Sequence, residues 1–311
     1  MNQSKQVLIA TKIAPSFEKW LQDKGFVLTY YENMEVHNFA DFEGVVTSNK
    51  LFLPSEMLKR FENLKWIGRM GSGMEIIDMD YANAHHIIVK SSPDGNANAV
   101  AEQALGTLLS LFHNITSSAM EVNEDTWQRE VNRGYEITDR KIGLVGFGSN
   151  GSLFGEKAAK MDMEVFFYDP HLTESFACDY AQRVDSYEEL LAQSIDVLSF
   201  HVPQNDTTYH YFNEGSLSIL KQPIYLLNLS RGAIVDWNAV YKGWQNKQII
   251  KVGLDVLENE PLSTVPALQR VEMKEMIERG DLLLTPHVGG YTFEAIEKMG
   301  QSLMRQLAPY L

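Results

Sequence analysis

The sequence predicts an α/β protein built from two doubly wound parallel sheets, each forming its own domain. Three observations carry this expectation. Short apolar runs alternate with helical patterns along most of the chain, one run leads into a glycine-rich turn, and charged side chains recur just after the runs. The glycine-rich stretch is Lys141-Ile142-Gly143-Leu144-Val145-Gly146-Phe147-Gly148-Ser149-Asn150-Gly151. Gly146, Gly148 and Gly151 fit G-x-G-x-x-G: a tight turn, a close backbone approach to a pyrophosphate, and close helix–strand packing. A helix over 149–161 then aims the N–H groups of its first turn at that pyrophosphate, which makes Ser149 and Asn150 candidate cofactor contacts. By themselves the glycines also fit an ordinary strand-to-helix turn. The next strand, 164–168, runs into Asp169, whose carboxylate can accept from both adenosine ribose hydroxyls and repels a 2′-phosphate, so NAD is expected over NADP.

The totals set the class. A chain of 311 residues has room for two cored domains, and 44% hydrophobic with 22% charged residues is globular composition. A net charge of −14 argues against nucleic acid and against an anionic membrane surface, so an anionic substrate must be held by local positive groups. The single cysteine, Cys178, excludes an internal disulfide and suits a reducing compartment. The apolar run 7–10 is too short for a signal segment, and no run approaches the ~20 apolar residues of a spanning helix, so a cytoplasmic protein is expected.

In chain order, strands are expected at 7–10, 27–30, 44–47, 66–69 and 87–90, with helices around 15–24 and 54–61. A long helix at 96–111, apolar over most of its surface, reads as the link between domains and part of a subunit contact. Six strands follow, at 141–145, 164–168, 196–200, 224–228, 251–254 and 282–285. The polar segment 121–139, with Trp127 and Tyr135, has no clear period. A helix over 292–307 suggests that the chain returns to its first domain. The expected domains are therefore 1–94 plus 288–311, and 95–287.

Three charged groups follow strands of the second domain: Arg231, the run Asp255 to Glu260, and His287. Such positions lie on the carboxyl edge of a sheet, where open α/β sheets bind ligands. An arginine, a carboxylate and a histidine there suit hydride transfer at an oxygen-bearing carbon next to a carboxylate. The arginine can grip the substrate carboxylate and polarise the oxygen, the histidine can exchange a proton with it, and the carboxylate can support the imidazolium. Each also has a plainer reading as a capping arginine, a solvated glutamate or a structural histidine. The other seven histidines (His37, His85, His86, His113, His171, His201 and His210) are read as structural. In the first domain, Arg69-Met70-Gly71-Ser72-Gly73 places accessible backbone N–H groups after a strand.

Five collinear pieces resemble the D-isomer-specific 2-hydroxyacid dehydrogenase family: Val145 to Gly151, His201-Val202-Pro203, Asn228 to Asp236, Gly253 to Pro261, and Thr285 to Gly290. The resemblance covers nearly the whole chain. It implies two Rossmann-like domains with a cleft between them, NAD, a homodimer and a small 2-hydroxy or 2-keto acid substrate, with no metal. Residue by residue it implies Arg231 as substrate ligand, His287 as acid/base and Glu260 as its partner. It also implies Asp255 at the nicotinamide carboxamide, Val202, Pro203 and Leu229 along the cofactor, backbone N–H groups of Ser72 and Gly73 at the substrate carboxylate, and Asn96 nearby. Within the family the pieces 68–73 and 287–292 look most like phosphoglycerate dehydrogenases, in which an arginine at the position of Arg69 helps hold the phosphate. The expected reaction is therefore 3-phosphoglycerate/3-phosphohydroxypyruvate interconversion in serine biosynthesis. Thr47 departs from that pattern, since a second arginine is usual there, and Lys50 is the nearest replacement charge. Glyoxylate or hydroxypyruvate reduction is the alternative, and an NAD-sensing corepressor-like protein is the alternative outside enzymes. The segment 262–280 looks long for the family.

Overall fold

The computed structural model describes residues 5–31, 39–173 and 176–311; His37 lies outside them. The chain divides into two compact units, Met1–Ala99 with Gly290–Leu311, and Val100–Gly289.

In the first unit, β1 (Lys5–Ala10), α1 (Pro15–Asp23), β2 (Phe26–Tyr30), β3 (Phe42–Thr47), α2 (Ser55–Leu58), β4 (Trp66–Arg69), α3 (Met79–Ala84) and β5 (Ile88–Ser91) form a parallel sheet in the order β2-β1-β3-β4-β5. Both faces are covered, which is why β3 reads as a continuous apolar run: Val45 and Val46 point to opposite faces and both are fully buried. One face packs Phe17, Leu21 and Trp66 against the closing helix Phe293–Leu307. That helix places Ile296, Met299, Leu303 and Leu307 on one stripe and starts at Thr292, whose side chain accepts the Ala295 N–H. Burial of each such side chain contributes about 1.5–3 kcal/mol.

The second unit begins within α4 (Ala97–Phe112), followed by α5 (Ile115–Asn123), β6 (Lys141–Val145), α6 (Ser149–Ala159), β7 (Glu164–Tyr168), β8 (Ala181–Arg183), α7 (Tyr187–Ala192) and β9 (Val197–Phe200). It continues with α8 (Glu214–Ile219), β10 (Ile224–Asn228), α9 (Trp237–Gln245), β11 (Ile249–Leu254), α10 (Ala267–Glu278) and β12 (Leu282–Leu284). The parallel sheet runs β12-β11-β10-β9-β6-β7-β8. From β6 the chain winds outward through β7 and β8, then crosses to β9 and winds the other way. The switch point therefore lies between β6 and β9, where the loops that leave the two strands diverge and open a crevice.

Four elements differ from expectation. A seventh strand, β8, extends the sheet at its edge. Part of the aperiodic region is helical as α5, which buries none of its side chains. The long segment 262–280 is a short 3-10 turn, Leu262–Thr264, followed by α10. Glu272 and Glu275 of α10 accept hydrogen bonds from Trp237 Nε1 (2.7 Å) and Tyr241 Oη (2.8 Å) on α9. The helix expected over 54–61 is confined to α2.

Candidate active site

The glycine turn occupies the switch point. Gly146 has φ +92°, a conformation that side chains resist, and a Cβ there would come within 2.7 Å of the His201 carbonyl oxygen. Its N–H donates to the Tyr168 carbonyl (2.8 Å). Gly151 closes the turn, since a Cβ on it would sit 2.2 Å from the Gly146 oxygen. At Gly148, which begins α6, a Cβ would meet nothing within 4 Å. The first turn of α6, with Ser149 and Asn150, carries N–H groups that helical hydrogen bonding leaves over. Backbone amides beside open space at a helix N-terminus fit a pyrophosphate.

Asp169 follows β7 and is 9% exposed. Its Oδ2 accepts the Phe147 N–H (2.8 Å) and its Oδ1 the His171 N–H (2.9 Å). The carboxylate is thereby locked to the glycine turn, and one lone pair on each oxygen stays available for a ribose hydroxyl. We expect Asp169→Ala to raise the ratio of NADP to NAD binding, measured by nucleotide titration; an unchanged ratio contradicts this role. On the other side of the switch point, His201 pairs with Ser199 (Nε2 to Oγ, 2.9 Å), and burial pushes its imidazole down to about 4, so it is neutral near pH 7. Val202 and Pro203 continue from it, and Leu229, after β10, is buried.

Three loops on the carboxyl edge of the same sheet carry the charged groups. After β10, the Asn228 side chain builds the turn into Arg231: its Oδ1 accepts from the Ser230 N–H (3.1 Å) and Oγ (2.8 Å), and its Nδ2 donates to the Arg231 carbonyl (2.8 Å). Asn228 opens the piece Asn228 to Asp236, and the resemblance implies no role for it. The signal was there, since asparagine shortly before a turn commonly forms this self-bonding loop. Gly232 then lets the turn lie on the loop after β11, because a Cβ on it would fall 1.9 Å from the Leu257 carbonyl carbon.

After β11, Glu260 Oε2 meets His287 Nδ1 at 2.8 Å and Oε1 accepts the Leu257 N–H at 2.9 Å. Partial burial raises the Glu260 pKa, but the bonds from His287 and Leu257, with the charges of His287 and Arg231, outweigh it, and the carboxyl ends below its usual range. Arg231, Glu260 and His287 are thus brought together. The pair is reachable, with side chains 28% (His287) and 35% (Glu260) exposed.

After β12, His287 sits at φ +55°. Asp255, 2% exposed, sets this turn: its Oδ1 accepts from Thr285 Oγ1 (2.5 Å) and the Val288 N–H (3.0 Å), and its Oδ2 from the Gly289 N–H (2.7 Å). The carboxylate expected at the nicotinamide is engaged on both oxygens in shaping the turn that presents His287. Thr285, which opens the piece Thr285 to Gly290, is part of that device.

In the first unit, Arg69 departs most from expectation. It is 3% exposed, and its guanidinium donates to the carbonyls of Gly73 (Nε, 2.9 Å) and Met70 (Nη1, 2.6 Å) and to Asn49 Oδ1 (Nη2, 2.6 Å). It ties the loop after β3 to the loop after β4. Thr47 is fully buried, with Oγ1 donating to the Leu51 carbonyl (3.1 Å). In the loop that Arg69 props, the Gly71 N–H is taken by Ser92 Oγ (2.9 Å), whereas the Ser72 and Gly73 N–H groups donate to no other described group. Asn96 Oδ1 is buried with no hydrogen-bond partner among the described residues. A buried orphan acceptor calls for a ligand or a water.

The model of the family described as D-isomer specific 2-hydroxyacid dehydrogenase, NAD binding domain, matches residues 105–289, more than half of the chain. The chain is 31% identical to D-3-phosphoglycerate dehydrogenase of Haemophilus influenzae over 84% of its own length and 62% of that protein's. It is 29% identical to hydroxypyruvate reductase of Thermotoga maritima over 81% and 79%. Among the curated phosphoglycerate dehydrogenases it matches, it spans between about half and two thirds of their length. In fold it is similar to D-lactate dehydrogenase from Aquifex aeolicus complexed with NAD and lactic acid, with a TM-score of 0.85 at 24% identity, covering 98% of this chain and 95% of that one. The chain belongs to the D-isomer-specific 2-hydroxyacid dehydrogenase family, and residues 105–289 are its NAD-binding domain.

Proposed function

We propose that the protein interconverts a D-2-hydroxy acid and its 2-keto acid with NAD, and that its substrate is a short acid without a phosphate, of the hydroxypyruvate or glyoxylate class. The observation that carries the reaction is the 2.8 Å contact of His287 Nδ1 with a Glu260 carboxyl held ionised beside Arg231. When bound, the nicotinamide supplies or takes up the hydride at the carbon next to the substrate carboxylate. His287 moves the proton: Glu260 accepts its Nδ1–H and leaves Nε2 to give a proton to the substrate oxygen in reduction and take one in oxidation. Glu260 stays anionic and so supports the imidazolium. Arg231 grips the carboxylate and offsets the charge that develops on the oxygen.

Arg69 and Thr47 favour an unphosphorylated substrate. A guanidinium that is 3% exposed and already donates to two carbonyls and an asparagine is poorly placed to receive a dianion, and the threonine at 47 adds no charge. The reading as a phosphoglycerate dehydrogenase is favoured instead by 31% identity to one. Arg69→Ala distinguishes them. As a loop strut, Arg69 acts on every substrate through Ser72 and Gly73, so the variant is expected to raise KM for hydroxypyruvate and for phosphohydroxypyruvate by similar factors. A rise confined to phosphohydroxypyruvate overturns the proposal in favour of a phosphate site.

A further inference from the structure

Glu260 is not the only carboxylate of its loop to hold a histidine. Two residues earlier, Glu258 Oε2 meets His210 Nε2 at 3.0 Å, and Glu258 Oε1 accepts from Tyr209 Oη at 3.0 Å, with the Tyr209 and His210 rings stacked 4.0 Å apart. Both histidines are in the left-handed region, His210 at φ +46° and His287 at φ +55°. The other described non-glycine residues with positive φ (His86, Asn114, Asp125, Asp139, Asp162, Ser194 and Lys247) follow helices or precede strands, where chain reversal commonly uses this conformation. His210 and His287 alone among them stand in loops leaving the carboxyl edge of the sheet. Such strained backbone persists only where its surroundings enforce it, and it concentrates at functional sites.

The connections of His210 show what enforces it. Its N–H donates to the Ala233 carbonyl (2.8 Å), and the Phe212 N–H donates to Ile234 (3.1 Å), so the segment 210–212 lies along the residues that directly follow Arg231 and Gly232. Its ring crosses to Glu258, on the loop against which Gly232 packs. One residue therefore joins the loop of Arg231, through its backbone, to the loop of Glu260, through its side chain. A contact between side chains 29% (His210) and 33% (Glu258) exposed would count for little as a stabilising contact alone. Its place between two active-site loops gives it weight.

We propose that His210, assisted by Tyr209, is a positioning residue of the active site: through Glu258 it holds the loop 257–260 against the Arg231 turn and so sets the bond between Glu260 and His287. This rests on the reaction assigned above. Neither His210 nor Tyr209 needs to touch substrate.

The test compares His210→Gly, which keeps the backbone conformation and removes the ring, with His210→Gln, which restores an N–H donor at similar reach. In His210→Gly, kcat for a 2-keto acid is expected to fall about tenfold, as when a reacting group is displaced by part of an ångström. KM for NADH stays as in the wild type, the downfield ring N–H resonance of His287 broadens, and His210→Gln recovers most of the loss. If His210→Gly does not fold, Tyr209→Phe, which removes one bond to Glu258, is read in the same way with a smaller loss. Wild-type kcat together with an unchanged His287 resonance overturns the proposal, even if the melting temperature falls. If the wild-type protein reduces no 2-keto acid, the assigned reaction fails instead, while the resonance, recorded without substrate, still tests the positioning.

Discussion

Replacing His287 by glutamine is expected to lower kcat by about 10²–10⁴-fold, the usual contribution of a placed proton donor, with NADH binding unchanged. Glutamine keeps the volume and a hydrogen bond to Glu260 but cannot give up a proton. The glycine turn and Asp169, to which we assign the nucleotide, lie on loops after β6 and β7, whereas His287 follows β12. Stopped-flow turnover with a separate fluorescence titration of NADH separates the two effects, and an enzyme that keeps its rate contradicts the mechanism. The pH dependence has a defined sign. Because the Glu260 carboxyl is held below its usual range by bonds from His287 and Leu257 against a contrary effect of burial, its charge persists as pH falls through the ordinary glutamate range near ~4.3. Its contribution to holding the pair is complete above that range and is lost only as pH drops through the lowered folded value.

The second large effect belongs to Arg231. Arg231→Ala is expected to reduce kcat/KM by about 10²–10³-fold, the scale found when a charge-stabilising donor is removed from a reacting oxygen. Arg231→Lys should recover only part of this, since an ammonium is a point charge and cannot grip a carboxylate through two parallel bonds. The loop itself should survive either change. Arg231→Ala removes one bond of the turn, from Nη1 to the Ser230 carbonyl (2.7 Å), but Asn228 still holds it through the Ser230 N–H and Oγ and the Arg231 carbonyl. Steady-state kinetics with hydroxypyruvate measure both variants, and a lysine variant as active as the wild type would remove the bidentate role.

What could be read from the chain alone followed how local its cause is. The glycine turn, the strands that flank it and the carboxyl-edge position of Arg231, Glu260 and His287 follow from short-range patterns, and the structure assembles them on one sheet edge. β8 escaped notice because three residues at a sheet edge, none of them buried, carry no periodicity. α5 buries nothing, and α10 buries only Met273 and Met276 while hydrogen-bonding to α9 through glutamates, so neither shows the apolar stripe by which helices are recognised. Side chains whose partners are distant in sequence were harder still. Arg69 could be seen to follow a strand, but not that Asn49, 20 residues away, would take up its guanidinium. Asp255 and the turn it shapes are 30 or more residues apart, and Glu258 and His210 are 48 apart. With its partner that far away in sequence, His210 looks like a structural histidine from the chain alone.

The most direct test of the account is to give the purified wild-type protein NADH with hydroxypyruvate, glyoxylate or phosphohydroxypyruvate and to follow nucleotide oxidation and product chirality together. NADH consumption matched by the D-hydroxy acid is expected, faster with the unphosphorylated acids. Tight NADH binding with no consumption on any of the three would contradict it and mark the protein as a nucleotide sensor.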